Sequence, residues 1–427
     1  MSQREEGCMS SAMDGDKGAG ADLPLAGIRI LDVSHIVAGP FCGAILADFG
    51  ANVIKVEPPG KGDRARDVAP FVEGENGRVS GFFATVNRNR RGVALDLKST
   101  TGKDAFRKLV GVSDVLIENF APGVMQRLGL GYETLRDLNP RLIYVAISGF
   151  GQLDPYLGPW SSRPANNATA QAMSGLMDLS GDPEGPPAFI GQAIGDTIPA
   201  LWAVIGTLLA LEHRRRTGLG QFIDVAMYDS LASMCFNAIS DYHVSGAGPG
   251  RGMAWRETFS DRLRCADGYI AVSLWGTVRE RWLRLWPLIG HPEMLTHPEF
   301  DPAHPGCPRC FPIVKSVLEK WLAETTREES VRLLLDLGFS AGPVQTVKEV
   351  YESEQLARRQ LFITVEDGLG GTIRTVGTPV KFSGLRPRAP GRAPFLGEHT
   401  REVLTEMLGL TEAELDRLGL RCDSNPE

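Results

Sequence analysis

The sequence predicts an α/β protein in which a smaller α+β domain is inserted into a doubly wound, Rossmann-like large domain before the chain returns to it. Short β-branched runs alternate with helical stretches through the first half, as is typical of parallel strands joined by crossover helices. After the glycine-rich segment 244–252 comes a compositionally different region with a hairpin signal and tryptophan-rich helices. A chain of 427 residues also exceeds what one hydrophobic core usually organises.

The first half supplies the strands and helices of the large domain. Strands are predicted at 28–33, 52–56, 114–117, 142–147 and 221–227 from their β-branched apolar runs. Helices are predicted at 101–110, 168–179, 197–216 and 229–239. Gly218 ends the third of these helices, and arginines 214–216 suit the negative end of its dipole.

The second half predicts the inserted domain and the return. A hairpin at 263–272 turns at Asp267-Gly268, and helices are expected at 278–290 and 313–325. A strand-rich stretch at 363–382 and an amphipathic helix from Thr400 close the large domain. We therefore expect a disordered tail at 1–22, a large domain at 23–243, a linker and small domain at 244–340 and the return at 341–427.

Composition excludes several classes of protein. A formal net charge of -7 leaves no basic footprint for nucleic acid. The first 22 residues lack the apolar stretch of a signal peptide, and there is no uninterrupted apolar run of the length that would span a bilayer, so a cytoplasmic protein without a membrane partner is predicted. Cys307 and Cys310 form a lone CxxC without further zinc-spaced ligands; we expect no metal and interpret them as incidental thiols.

The sequence motifs that mark several other enzyme classes are missing. There is no P-loop, no HExxH, no GxSxG and no GxGxxG between a strand and a helix. A kinase or a nicotinamide enzyme would need one of the phosphate-binding loops. Neither class is predicted.

Eight sequence blocks carry a resemblance to a known family. They lie, in order, at 31–40, 47–58, 89–98, 118–123, 185–187, 195–196, 217–221 and 396–400. Together they resemble family III coenzyme A transferases of the CaiB/BaiF type. The resemblance implies transfer of CoA from an acyl-CoA donor, with succinyl-CoA as a candidate, to a small carboxylic acid, with no metal or redox cofactor. It also implies an interlocked dimer, formed with an identical or a homologous subunit.

The resemblance also implies a set of CoA-binding residues. It places Lys98, Asn119, Phe120 and Arg127 along the CoA cleft, and the same blocks contribute Val37, Ala38, Arg91 and Leu95. The residues themselves leave simpler interpretations open. The turn at Ala38 can be an ordinary strand-to-helix turn, the basic run around Arg91 a solvated face, and Phe120 a core side chain.

Asp196 matches the nucleophilic aspartate of the family. A desolvated carboxylate can attack an activated thioester and form a mixed anhydride, which CoA then converts to an aspartyl-CoA thioester. The residues alone favour a different role, because an Asp before Thr-Ile-Pro is also a good helix N-cap. The glycine-rich segment from Gly246 to Gly252 is a candidate for an active-site loop whose amides would stabilise oxyanions.

Two departures from the family pattern bear on the substrate. Val37 stands where some transferases have glutamine, and residues 256–261 replace the tetraglycine run of formate-oxalate enzymes. We therefore expect oxalate to be a poor substrate and a less polar acid to be preferred. Trp275, Trp282 and Trp286 either line an apolar acceptor pocket or belong to a core.

Two other functions compete with the transferase. An acyl-CoA racemase needs a histidine about thirty residues before the aspartate, and the stretch 163–168 contains none. A non-catalytic subunit that depends on an active partner is the second alternative. Retention of Asp196 argues against it.

Overall fold

The computed structural model describes residues 23–75, 77–252, 258–275 and 279–417. The predicted tail at 1–22 lies outside the described residues. The strands are β1 (Arg29–Asp32), β2 (Asn52–Glu57), β3 (Phe71–Gly74), β4 (Gly77–Ser80), β5 (Arg90–Ala94), β6 (Val115–Glu118), β7 (Ile143–Ser148), β8 (Phe222–Ala226), β9 (Thr258–Cys265), β10 (Gly268–Trp275), β11 (Ser340–Pro343), β12 (Phe362–Glu366) and β13 (Thr372–Val376).

Helices join most of these strands. They are α1 (Ala38–Asp48), α2 (Gly81–Val86), α3 (Thr100–Gly111), α4 (Val124–Arg127), α5 (Tyr132–Leu138), α6 (Asn167–Met173), α7 (Leu176–Leu179), α8 (Ile194–Thr217), α9 (Met227–Ala232), α10 (Phe236–Ser245), α11 (Arg279–Leu288), α12 (Cys310–Leu322), α13 (Arg327–Asp336), α14 (Val347–Tyr351), α15 (Glu354–Arg358), α16 (Thr400–Leu408) and α17 (Glu412–Arg417). Short 3-10 turns lie at Arg64–Asp67, Ser233–Cys235 and Pro292–Thr296.

The central sheet has six strands in the order β5-β2-β1-β6-β7-β8. Every neighbouring pair is parallel. Counted along the chain within this sheet, the order is 3-2-1-4-5-6, which is that of the doubly wound Rossmann fold. The predicted α/β class and parallel sheet are confirmed.

The strands of this sheet are buried on both faces, which explains their continuous apolar runs. All residues of β6 and β7 are buried. Successive side chains of a strand point to opposite faces of the sheet. When helices cover both faces, all of these side chains are buried, so the strand is a continuous apolar run instead of alternating apolar and polar residues. The core on one face includes Leu31, Ile54, Phe106, Leu116 and Leu404.

Two buried arginines near the start of β5 are structural. Arg90 is ion-paired with Asp32 at the end of β1, and both side chains are fully buried. Arg88 forms a second buried pair with Asp48, 2.6 Å from nitrogen to oxygen. Burying a guanidinium is tolerated only when a carboxylate and further acceptors satisfy it. This part of the basic run is therefore neither a solvated face nor a free phosphate site.

Helix α8 is longer than predicted and unusually apolar. The helix has 24 residues, and an 18-residue window of it has a mean hydropathy of 1.7, so it is long and apolar enough to cross a membrane by length and composition alone; 39% of that window is buried. Asp196 and Glu212 bound its uncharged stretch, so the expectation of no uninterrupted apolar run long enough to span a bilayer is not contradicted. A core helix of a soluble protein passes the same test, and this helix packs on β7, β8 and α1. Arg214 in its last turn pairs with Asp114, at 2.8 Å.

The chain divides into two compact units. The first comprises the residues described up to Ala170, Gln192–Leu231 and those from Arg358 onward, and it contains the six-stranded sheet. The second comprises Gln171–Gly191 and Ala232–Ala357. The units are thus not divided at the predicted boundaries 243/244 and 340/341.

Contacts between segments that are distant in the sequence explain why Gln171–Gly191 and Ala232–Ala357 form one unit. Arg251 pairs with Asp178 at 2.8 Å, and the Gly252 amide donates to the Leu179 carbonyl at 3.0 Å. Residues 246–252 are therefore tied to 178–185, and their role as an active-site loop stays a prediction.

The core of the second unit contains two of the three candidate tryptophans. Trp282 and Trp286 on α11 are fully buried and stack at 5.2 Å between ring centroids. They pack against the antiparallel sheet β11-β10-β9 and helix α12. Both are core side chains rather than the lining of an acceptor pocket. The side chain of Trp275 lies outside what the structure describes.

Candidate active site

The candidate site lies at the carboxyl edge of the parallel sheet, in the first unit. The strand order reverses between β1 and β6, which are direct neighbours. Loops leaving the carboxyl ends of two such strands diverge to opposite faces of the sheet and leave a crevice, where doubly wound proteins bind ligands. The loops after β1, β5 and β6 hold most of the predicted CoA-binding residues.

The turn from β1 into α1 has a strained backbone. Ile36 has a φ of 68°, a left-handed conformation that is costly for a β-branched residue. Its amide donates to Asp63 Oδ1 at 3.0 Å, which holds the turn in place. Val37 is the N-cap of α1 without a side-chain cap, and Ala38 is the first helical residue. The first amides of α1 therefore have no side-chain acceptor at the N-cap, as an anion site requires.

Asp63 connects this turn to a buried cation. Lys55 Nζ lies 2.9 Å from Asp63 Oδ2, both side chains are fully buried, and Lys55 also donates to the Ser34 carbonyl. Burial by itself would raise the pKa of Asp63, but Lys55 and the donors around it hold that pKa far below its ordinary value. His35 Nδ1 is 3.5 Å from Asp63 Oδ1. The carboxylate is therefore permanently ionised and fixes the turn.

Asn119 and Phe120, after β6, face the same turn. The Asn119 side chain accepts from the His35 amide and donates to the His35 carbonyl, both at 2.8 Å. The Phe120 ring lies 5.6 Å from the His35 ring and is partly buried. Asn119 thus joins the two loops across the crevice, and Phe120 offers an apolar surface beside it.

Glu118, at the end of β6, positions the backbone of Phe120. Its carboxylate accepts from the Phe120 amide at 2.7 Å and from Gln152 Nε2 at 3.0 Å. Burial raises the pKa of Glu118 to about 7, against the lowering effect of these hydrogen bonds. Glu118 was not predicted as a site residue, although it begins one of the blocks that carry the resemblance.

Lys98, Leu95 and Arg127 differ in exposure. Lys98 is exposed in the turn before α3, and its ammonium group has no ion pair with the described residues. Arg127 ends α4, is exposed, and lies over Gly123, where an added Cβ would come within 2.8 Å of its Nη1. Leu95 is buried in the core. Two cations are therefore available near the crevice, whereas Leu95 supports it from within.

Arg91 is placed differently from the other predicted residues. It lies near the start of β5, away from the carboxyl edge, and pairs with Glu402 at 2.9 Å and with Glu406. Both glutamates are on α16. A CoA phosphate would have to displace two carboxylates there, so the CoA-binding role of Arg91 stays a prediction.

Asp196 lies in the first turn of α8. Because α8 connects the parallel neighbours β7 and β8, its N-terminus lies at the carboxyl edge of the sheet, as does that of α1. Asn167 fixes this turn, since its Oδ1 accepts from the Gly195 amide at 2.8 Å. A Cβ on Gly195 would come within 2.7 Å of Asn167 Cα, so only glycine fits the approach.

The carboxylate of Asp196 is not the helix N-cap. The N-cap of α8 is Ala193, with no side-chain cap, and the helix begins two residues before Asp196. The carboxylate is partly buried and has no hydrogen bond or ion pair with any described residue. Burial raises the pKa of Asp196 to about 6. A poorly solvated carboxylate without a partner is a stronger nucleophile than one in water, and with this pKa most of it is ionised at pH 7.

The family follows from comparison with known proteins. The model of CoA-transferase family III matches residues 25–400. The chain belongs to CoA-transferase family III. A succinyl-CoA:mesaconate CoA-transferase from Haloarcula hispanica is 36% identical over 89% of the chain and 95% of the relative. A formyl-CoA:oxalate CoA-transferase from Streptomyces avermitilis is 33% identical over 92% and 97%.

A solved structure agrees with this assignment. A CaiB/BaiF family protein from Brucella suis superimposes with a TM-score of 0.80 at 33% identity, covering 90% of this chain and 99% of that one. The protein is therefore a CoA-transferase enzyme of the CaiB/BaiF type. Its superfamily was predicted correctly from the sequence blocks.

In this CoA-transferase, sequence reasoning missed the residues that hold the site loops. Lys55, Asp63, Glu118 and Asn167 act through buried or partly buried contacts, and periodicity does not reveal them. Lys55 and Glu118 do lie in blocks that carry the resemblance. Within the described ranges, no group of three His, Cys, Asp or Glu side chains is placed to hold a metal ion.

Proposed function

We propose that this CoA-transferase uses the Asp196 carboxylate as its nucleophile. The observation that carries the proposal is a partly buried carboxylate with no partner among the described residues, at the carboxyl edge of the sheet. A structural aspartate in such a position would be expected to cap its helix or pair with a cation. Asp196 does neither, and Asn167 shapes the turn around it.

The proposed reaction consists of acyl transfers that balance without a cofactor. A carboxylate oxygen of Asp196 attacks the thioester carbonyl of the donor, the C–S bond breaks, and CoA leaves as its thiolate from an aspartyl-acyl anhydride. The thiolate then attacks the aspartyl carbonyl and releases the donor acid, leaving an aspartyl-CoA thioester. The acceptor carboxylate repeats the two steps in reverse, which regenerates Asp196. Neither a metal nor a redox group is needed.

The CoA is proposed to lie over the crevice between the loops after β1 and β6. Lys98 and Arg127 are exposed cations suited to phosphates, and Phe120 supplies apolar contact. The first amides of α1, at Ala38, can face an anion because Val37 provides no side-chain acceptor. These side chains bind CoA equally before and during reaction, so they should affect KM more than kcat.

We propose succinyl-CoA as donor and an acid larger and less polar than oxalate as acceptor. The relative from Haloarcula hispanica, named for succinyl-CoA and mesaconate, supports this choice. Val37, buried and apolar at the start of α1, removes a polar contact near the reacting groups. The Streptomyces avermitilis relative, named for oxalate, is the reason to include oxalate in the substrate panel.

We also propose that the working enzyme is a dimer in the cytoplasm. Helix α8 buries one face, including Ala200, Ala203 and Ala210. Its other face exposes a stripe at helical spacing, Leu201, Trp202, Ile205, Leu208 and Leu209, each 42% to 66% accessible. An apolar stripe of this kind on a soluble enzyme favours a protein partner. An identical chain is the simplest partner, and sedimentation equilibrium of the purified protein measures it.

The test of the mechanism is trapping of the intermediate. The purified chain alone is incubated with succinyl-CoA and hydroxylamine, digested and mapped by mass spectrometry. We expect a hydroxamate at Asp196, because both the anhydride and the aspartyl thioester are electrophilic. Asp196→Asn should give no hydroxamate and no CoA exchange, whereas Asp137→Asn, with its side chain 79% exposed on α5, should behave as wild type. Modification at another carboxylate would refute the proposal, and turnover by the isolated chain excludes a non-catalytic subunit.

A further inference from the structure

The CxxC of the second unit has a geometry that the CoA-transferase reaction does not use. Cys310 is fully buried and is the first residue of α12, whose Val314, Leu318 and Leu322 are fixed in the core. Cys307 is partly exposed in the preceding loop. Neither sulfur is in a disulfide in the structure. One accessible thiol thus lies directly against one buried thiol.

The surroundings of Cys307 stabilise a thiolate. The Cys310 amide donates to Cys307 Sγ at 3.3 Å. The Arg309 amide and the positive charge of Arg309 act in the same direction. Burial opposes them, but the net effect lowers the pKa of Cys307. Backbone donors at a helix N-terminus and a nearby cation are the features that make cysteines reactive.

Cys310 has the opposite environment. Its thiol donates to the Glu299 carbonyl at 3.0 Å, and its sulfur accepts from the Asp301 amide at 3.2 Å. Burial, followed by the contact with Cys307, raises the pKa of Cys310 to about 11. Once Cys307 is no longer anionic, that second effect disappears. The Asp301 amide is then placed to stabilise a Cys310 thiolate.

We propose that Cys307 and Cys310 are a reactive dithiol that exchanges with low-molecular-weight disulfides and closes into an intramolecular disulfide. The Cys307 thiolate attacks a disulfide RSSR, forms a mixed disulfide and releases RS⁻, which takes up a proton. The Cys310 sulfur then attacks Cys307 Sγ, its proton passing to the second departing RS⁻. The dithiol loses two electrons and two protons, and RSSR is reduced to two RSH.

Two simpler roles for this pair are disfavoured by the contacts. A metal site needs further ligands, and the described residues contain no third His, Cys, Asp or Glu placed to complete one. His304 is engaged with Asp301 instead, at 3.0 Å. Incidental thiols would not be expected to differ in this way. Here Cys307 Sγ has backbone donors and a cation nearby, whereas the neighbouring Cys310 is buried.

The first test measures thiol reactivity in the full-length protein. The reduced chain is treated with iodoacetamide across a pH series, with free glutathione as the reference thiol. Digestion after glutamate yields peptide 300–319, which carries both cysteines. We expect Cys307 to be alkylated at least about tenfold faster at pH 7 than the buried thiols of Cys42 and Cys265. The midpoint of the pH dependence of its alkylation rate should lie below that of glutathione. A midpoint at or above that of glutathione would overturn the proposal.

The second test uses glutathione disulfide as the probe. In the wild-type chain, peptide 300–319 should lose two hydrogens without retaining glutathione. Cys310→Ser should instead accumulate glutathione on Cys307, and Cys307→Ser should show neither product. Addition of dithiothreitol should restore the reduced mass. If the wild-type peptide stays reduced, or if glutathione accumulates on it as on the Cys310→Ser variant, the pair is not the proposed dithiol.

Discussion

Replacing Asp196 by Asn should make the protein more stable at alkaline pH while abolishing CoA exchange. Burial raises the pKa of this carboxyl from 3.8 to about 6, and no partner in the described residues compensates. A shift of about two pKa units, at 1.36 kcal/mol each, means that the ionised carboxylate costs the folded state about 3 kcal/mol. Asparagine has nearly the same shape and carries no charge, so the variant avoids this cost.

The sign of the pH dependence follows from proton binding. The folded state holds the Asp196 proton more tightly than the unfolded state, so the stabilisation from this proton is complete below pH 3.8. It is lost as pH rises from 3.8 to about 6. The advantage of Asp196→Asn should therefore be about 3 kcal/mol at pH 8 and about half as large at pH 5.

Hydrogen exchange of α8 is the appropriate assay, because a chain with two compact units need not unfold in one step. The free energy of opening is compared between wild type and variant at pH 5 and at pH 8. Asp137→Asn is the matched control, since its side chain is 79% exposed, and it should change neither value. Asp196→Ala should lose no cap, because Ala193 holds the N-cap position.

Two outcomes would refute this reasoning. If Asp196→Asn is no more stable than wild type at pH 8, the carboxylate is solvated or paired in solution. If the gain is the same at pH 5 and pH 8, it arises from packing rather than from the buried charge.

Three further predictions concern the pH dependence of the reaction, CoA binding and the buried ion pair of the first unit. The kcat for CoA exchange should fall as pH drops through about 6, because protonated Asp196 cannot attack; a pH-rate profile with no such limb would contradict this. Lys98→Ala should raise the KM for succinyl-CoA several-fold with little change in kcat, whereas Lys108→Ala, at the other end of α3, should leave KM unchanged in initial-rate assays. Arg90→Met should destabilise the first unit by about 3–5 kcal/mol in hydrogen exchange, because it leaves Asp32 buried without its cation, and Arg90→Met with Asp32→Asn should recover part of that loss.

The buried arginines show where local patterns mislead. A basic run such as Arg88 to Arg91 is usually solvated, and nothing in its spacing indicates that Asp32 and Asp48 lie opposite. Those carboxylates are 40 or more positions away along the chain. Only the pairing of β5 with β2, and of β2 with β1, brings Arg90 to Asp32.

The role of Asp196 shows a similar division. The residues alone favoured a helix N-cap, since the Thr-Ile-Pro that follows is a common helix start. The helix in fact begins at Ile194, because Asn167 satisfies the Gly195 amide from 28 positions earlier in the chain. Where a helix begins depends on which acceptor lies close to its first amides in the folded protein. Here that acceptor is Asn167, which is distant in the sequence.

The sequence by itself determined the α/β class, most strand positions and the family, because hydrophobic periodicity and the motif blocks are local properties of the chain. The tertiary structure alone decided that Asp196 is a carboxylate with no partner among the described residues, that Lys55 and Asp63 hold the turn at Ile36, and that Trp282 and Trp286 are core. It also decided which segments of the chain form the second unit, through contacts such as that of Arg251 with Asp178. Burial and pairing depend on residues far apart in sequence, and the free energy of an ionisable group depends on both.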